Sequence, residues 1–111
     1  MSAPLTTLIL FVAALLEAGG DALIRNGLHA TTRPARFLFF LLGASVLFGY
    51  GFVVNSPSWK FGDLLGVYVV FFFITAQLIS YFVFGTTPGK PLLLGGTLIV
   101  IGGVIISIGN Q

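Results

Sequence analysis

Residues 5–24 read LTTLILFVAALLEAGGDALI. The stretch is long and apolar enough to cross a bilayer as one helix, yet it holds Glu17 near its middle and Asp21 one turn later. An ionised carboxylate at that depth costs roughly 2.5–3.5 kcal/mol on insertion scales, and a lone span gains nothing from it. Such a residue is expected to face a bundle interior or a wet cavity and to handle protons, cations or both.

The rest of the chain fits that setting. Of its 111 residues 57% are hydrophobic and only 7% charged, with a mean hydropathy of +1.09. A soluble domain carries about 25% charged residues. The composition implies an integral membrane protein of class all-α, nearly all of it in lipid. Strand alternation of the kind that marks a membrane barrel is missing.

Four spans are expected, at about 4–27, 36–54, 62–84 and 91–108, forming a single four-helix transmembrane bundle. The connections are short: HATTRPAR (29–36), NSPSWK (55–60) with Trp59 at interfacial depth, and GTTPGK (85–90), where Pro88 and Gly89 mark a tight turn. Short loops make consecutive helices antiparallel neighbours. The flank from Met1 to Thr7 has no Lys or Arg, so the first segment reads as a retained span rather than a cleavable signal.

Arg33, Arg36 and Lys90 fall on the side of the first and third loops, with Arg25 near that end. Lys60 and the amino group lie opposite, with Asp63 beside them. The positive-inside rule then puts those two loops in the cytoplasm and the termini outside, in an organism such as a bacterium at its inner membrane. The formal charge of +2 and pI of about 9.4 reflect these few residues and give no reason to expect nucleic acid.

Glu17, Asp21 and Arg25 stand at i, i+4 and i+8 and share one helix face. Low-dielectric surroundings disfavour a charged carboxyl, and a second acid disfavours it further, so Glu17 can carry a proton and exchange it for a cation. Asp21 either joins that site or pairs with Arg25, whose place near the helix end also suits a structural role. Gly19 and Gly20 could admit a neighbouring backbone or a ligand, and Gly20 is a candidate lining residue.

The third span, GDLLGVYVVFFFITAQLISYFVFG (62–85), is rich in aromatics that could face a cation, although most Phe in a membrane helix face lipid. Tyr68 is the strongest of them, because a buried hydroxyl needs a partner and could meet Glu17. Phe72 and Thr75 are further lining candidates, and Gln77 is expected to bond across helices. In the fourth span Gly95, Gly102 and Gly109 recur every seven residues, followed by Gly96 and Gly103. That narrow face suits close helix approach, and Gly95, Gly102 and Gly103 are expected at a dimer contact.

Cys is absent, and the single His, His29, reads as an exposed loop residue. No metal ligand set, phosphate loop or nucleophile with a base is present, so no cofactor, no metal and no enzyme activity are expected.

With these features in view, the chain resembles the small multidrug resistance transporters of the drug/metabolite transporter superfamily. LLEAGGDALIRNGL (15–28) is similar to that family's Glu–x–x–Gly segment with a basic residue eight positions on: here Glu17, Gly20 and Arg25. FGTTPGKPLLLGGTLIVIGGVII (84–106) is similar to its short third loop and glycine-bearing fourth helix. GVYV (66–69) resembles a little-characterised branch of the superfamily.

The resemblance implies a homodimer, usually antiparallel, in which two Glu17 residues share one central site with Tyr68 beside it. It implies proton-coupled export of small organic cations, the fourth helices pairing through their glycines. The family's third-helix Trp is replaced by VVFFFITA (69–76), and Asp21 adds a second acid. Relatives of fixed orientation pair with a second, related chain, and some act on lipid-linked sugars. A transporter or flippase subunit for a lipid-linked or polar metabolite, or a non-transporting accessory protein, are the alternatives.

Overall fold

The computed structural model describes residues 3–109 and contains four helices: α1 (Ala3–Leu28), α2 (Arg33–Val54), α3 (Phe61–Phe82) and α4 (Lys90–Gly109). All four are long and apolar enough to cross a membrane. Met1 and Ser2, on which part of the retained-span expectation rests, lie outside the described residues, as does the amino group counted in the charge comparison.

Helix ends follow local chemistry. α2 begins at Arg33, three residues earlier than expected, because Thr32 caps it: its Oγ1 accepts from the Ala35 amide at 3.3 Å, and a proline occupies the first turn. Its far end is closed by side chains. Ser56 Oγ donates to the Val53 and Phe52 carbonyls, and Asn55 Nδ2 donates to Gly51. Asp63 sits in the first turn of α3, where a negative charge suits the helix dipole. α3 stops at Phe82, two residues short of the expected end. The turn there is made by Gly85, at φ 67°, rather than by Pro88 and Gly89. Gly85 and Thr86 donate their amides back to Tyr81 and Ser80.

The helices form an open row rather than a closed bundle. α1 packs on α2 and on α3, and α4 packs on α3 alone. The slab measures 50 × 34 × 20 Å. Consecutive helices α2 and α3 are therefore not backbone neighbours, against the expectation from loop length. They meet through side chains, the Tyr50 and Tyr68 rings among them.

Small residues explain the order. A Cβ on Gly20 would meet Leu47 at 2.7 Å and the Gly43 carbonyl at 3.3 Å, and one on Gly43 would meet Ile24 and the Gly20 carbonyl. That reciprocal contact brings α1 and α2 together along their backbones. Ala13 shares the stripe of Gly20, seven residues on, while Ala14 and Ala18 are buried on another face of α1; Ala13 and Ala14 belong to one core cluster with Leu64, Val67 and Tyr68 of α3. α4 lies on α3 with Gly96 against Phe73 and Gly103 against Val70.

Much apolar surface is left uncovered. On α4, Leu94 and Leu98 are about 70% exposed, and nothing lies within 4 Å of where a Cβ on Gly95, Gly102 or Gly109 would sit. The seven-residue glycine pattern thus splits in two. Gly103, expected at a dimer contact, is taken up inside the chain by α3, because the Gly96/Gly103 stripe is the one that faces Val70 and Phe73. Gly95 and Gly102 remain on the open side.

The α1–α2 contact can be tested within one helix. Gly20→Leu is expected to destabilise the protein by about 1–3 kcal/mol through overpacking. Gly19→Leu, beside it with open space, should stay within about 0.5 kcal/mol. Unfolding in detergent followed by circular dichroism checks this, and equal effects would contradict the packing described.

Candidate functional site

Glu17 is the fifteenth residue of α1, ~21 Å along a helix of ~39 Å. It therefore stands near the middle of a helix long enough to cross a hydrocarbon layer of about 30 Å. Its carboxylate is half-buried against α3. The Tyr68 hydroxyl donates to Glu17 Oε1 at 2.8 Å and lies 3.3 Å from the Ala13 carbonyl oxygen. Tyr68 itself is 4% exposed, held by the surrounding core.

This geometry suits either protonation state of the acid. A phenol has one proton to donate and lone pairs to accept with. Facing a carboxylate, Tyr68 donates to Glu17. Facing a protonated carboxyl, it can accept from Glu17 and turn its own proton to the Ala13 carbonyl, which has a lone pair to spare after its helical bond. Tyr68 thus keeps a partner on both sides of a proton exchange, so neither state leaves a buried hydroxyl orphaned.

The Tyr68 ring is flanked by Tyr50 of α2, 5.7 Å between centroids, and by Phe72, one turn along α3, at 6.3 Å. Tyr50 is a residue that the sequence reading missed. It lies in a tyrosine–glycine run near the end of α2, and only the tertiary arrangement brings it to Tyr68.

Toward the first and third loops a cavity of about 410 Å³ opens between α1 and α3. Asp21 and Arg25 line it from α1, Phe72 and Ser80 from α3, and Phe84 and Thr86 from the turn beyond. Asp21 is exposed into this space, one turn from Glu17 on the same helix. Among the described residues no ion pair joins Asp21 to Arg25, which corrects the alternative in which the two neutralise one another. The Arg25 guanidinium lies instead over the Phe84 ring, 5.5 Å from its centroid.

Other expected lining residues fall elsewhere. Gly20 faces α2 and is filled by Leu47, so it admits a backbone and not a ligand. Thr75 is 2% exposed and faces a smaller hollow with Phe11 and Leu15, away from the acids. The FFF run does not simply face lipid: Phe71 packs on the core, Phe72 on Tyr68 and Phe73 on Gly96. Gln77 makes no hydrogen bond among the described residues, so the expected interhelical bond is not formed. His29 is exposed beyond the end of α1.

The chain matches no family model, no curated protein and no solved structure. The site is therefore read from its own geometry.

The pairing of Glu17 with Tyr68 has a measurable signature. A double-mutant cycle with Glu17→Gln and Tyr68→Phe, followed by unfolding in detergent, should return a coupling of about 0.6–1.7 kcal/mol, the range of hydrogen bonds inside membrane proteins. Strict additivity would show that the two side chains do not bond.

Proposed function

We propose that the chain is a proton-coupled transporter of small organic cations, with Glu17 as the group that binds proton and cation in turn. The observation that carries this reading is the 2.8 Å hydrogen bond from Tyr68 to Glu17 at mid-span, beside an acid-lined cavity. An ionisable group at that depth is costly, and this one has a partner able to serve it charged or neutral. The cavity beside it has room for a small solute and aromatic rings to face a cation.

One subunit leaves the cavity open on the lipid side, because α2, α1, α3 and α4 lie in a row. A second copy supplies the missing wall in this proposal, with α4 as the pairing helix through its open Gly95 and Gly102. Coupled export then follows by alternating access: two Glu17 carboxylates near one another release protons when a cation arrives, and the empty site takes protons up from the other side. The loops bearing Arg33, Arg36 and Lys90 lie in the cytoplasm in this scheme, and the membrane is a bacterial inner membrane.

Adding small quaternary ammonium ions to the purified protein in unbuffered detergent should release protons. Glu17→Gln should release none while keeping its helical content. In liposomes the same variant should lose pH-driven cation uptake by a factor of 100 or more, as loss of the exchanging group requires. Undiminished uptake by Glu17→Gln would overturn the proposal.

A further inference from the structure

Asp21 and Arg25 stand one turn apart with the acid first, a spacing at which such residues usually pair. They do not pair here. Both line the same cavity of about 410 Å³, and Arg25 is turned to Phe84. One wall of the cavity thus offers a negative and a positive group, each open to a ligand, with an aromatic ring near each: Phe72 toward the Glu17 end and Phe84 by Arg25. Ser80 and Thr86 add hydroxyl groups to the lining.

A plain cation uses only half of this wall. It meets Asp21 but also feels the positive charge of Arg25 one turn away. A simple anion meets the opposite difficulty at Asp21. A molecule with a cationic group and an acid group satisfies both ends at once, and its acid group can bond the guanidinium as a fork.

We propose that the cargo of this site is a zwitterion: a small solute whose ammonium is held by Asp21, one turn from Glu17, and whose carboxylate or phosphate is held by Arg25. The two holding residues stand one turn apart on the same helix face, so one small solute can reach both. This rests on the reading of Glu17 as the proton and cation site and narrows the substrate class for it. Arg25 becomes a binding residue, released from Phe84 toward the acid group of the cargo.

Choline and phosphocholine share one ammonium and differ in the acid group, so they serve as probes on the full chain in a non-ionic detergent. Calorimetric titration should show phosphocholine binding about tenfold tighter than choline, the scale of one charge-assisted hydrogen bond. Arg25→Gln should bring phosphocholine down to the affinity of choline without weakening choline, Arg25→Lys should restore part of the difference, and Asp21→Asn should weaken both probes. Equal binding of the two probes by the unaltered protein would overturn the proposal without any variant, as would an unchanged ratio in Arg25→Gln.

Proton release separates the two levels of the argument. Release with choline but no preference for phosphocholine removes the zwitterion and leaves the Glu17 reading standing; no release with either probe removes the Glu17 reading itself. Nanodiscs identify the source of the ligand. Phosphocholine binding in phosphatidylglycerol discs that disappears in phosphatidylcholine discs supports the same chemistry with a lipid headgroup as the natural occupant. Equal binding in both supports a free solute.

Discussion

The hydrogen bond from Tyr68 to Glu17 fixes how α3 can lie on α1. The phenol must reach across the helix interface to a carboxylate, which requires a thin seam. Ala14 and Ala18 provide it, and both are buried. With larger residues there, the ring of Tyr68 could not sit 4% exposed and still reach Glu17 at 2.8 Å. The acid, the alanines and the tyrosine therefore form one unit: the charge needs the partner, and the partner needs the small residues. A bare carboxylate in the middle of a helix this apolar would cost several kcal/mol to insert in a bilayer, and a hydrogen-bonding partner lowers that cost.

That seam decides the open row. α1 has two narrow faces, the alanine face toward α3 and the Gly20 face toward Gly43 of α2, so it takes an inner place between them. α4 then has only α3 to pack on, through Gly96 and Gly103, and keeps its second glycine stripe open. The cavity opens beside the two inner helices of this row, lined by α1, α3 and the turn after α3.

The spans were legible because each is a long apolar run between short polar loops, and hydropathy alone places such runs. Glu17 was legible because a charge in an apolar run is conspicuous, and Tyr68 because a phenol on an aromatic span needs a partner. Helix order was not legible. Loop length says which helices are connected, while backbone approach depends on which small residue meets which, as Gly20 meeting Gly43 illustrates. Two glycines adjacent in sequence, Gly102 and Gly103, point about 100° apart on a helix, so one faces α3 and the other does not. Tyr50 and the turn of Arg25 toward Phe84 depend on three segments converging and leave no local trace in the sequence.

The central claim is that Glu17 exchanges a proton for its ligand while bonded to Tyr68. Infrared difference spectroscopy of the reconstituted protein tests this most directly, with the Glu17 carboxyl identified by its loss in Glu17→Gln. A protonated-carboxyl band should disappear and a carboxylate band grow when ligand is added, and both bands should shift in Tyr68→Phe. A carboxyl spectrum unaltered by any ligand, or bands at the same positions in Tyr68→Phe, would contradict the claim.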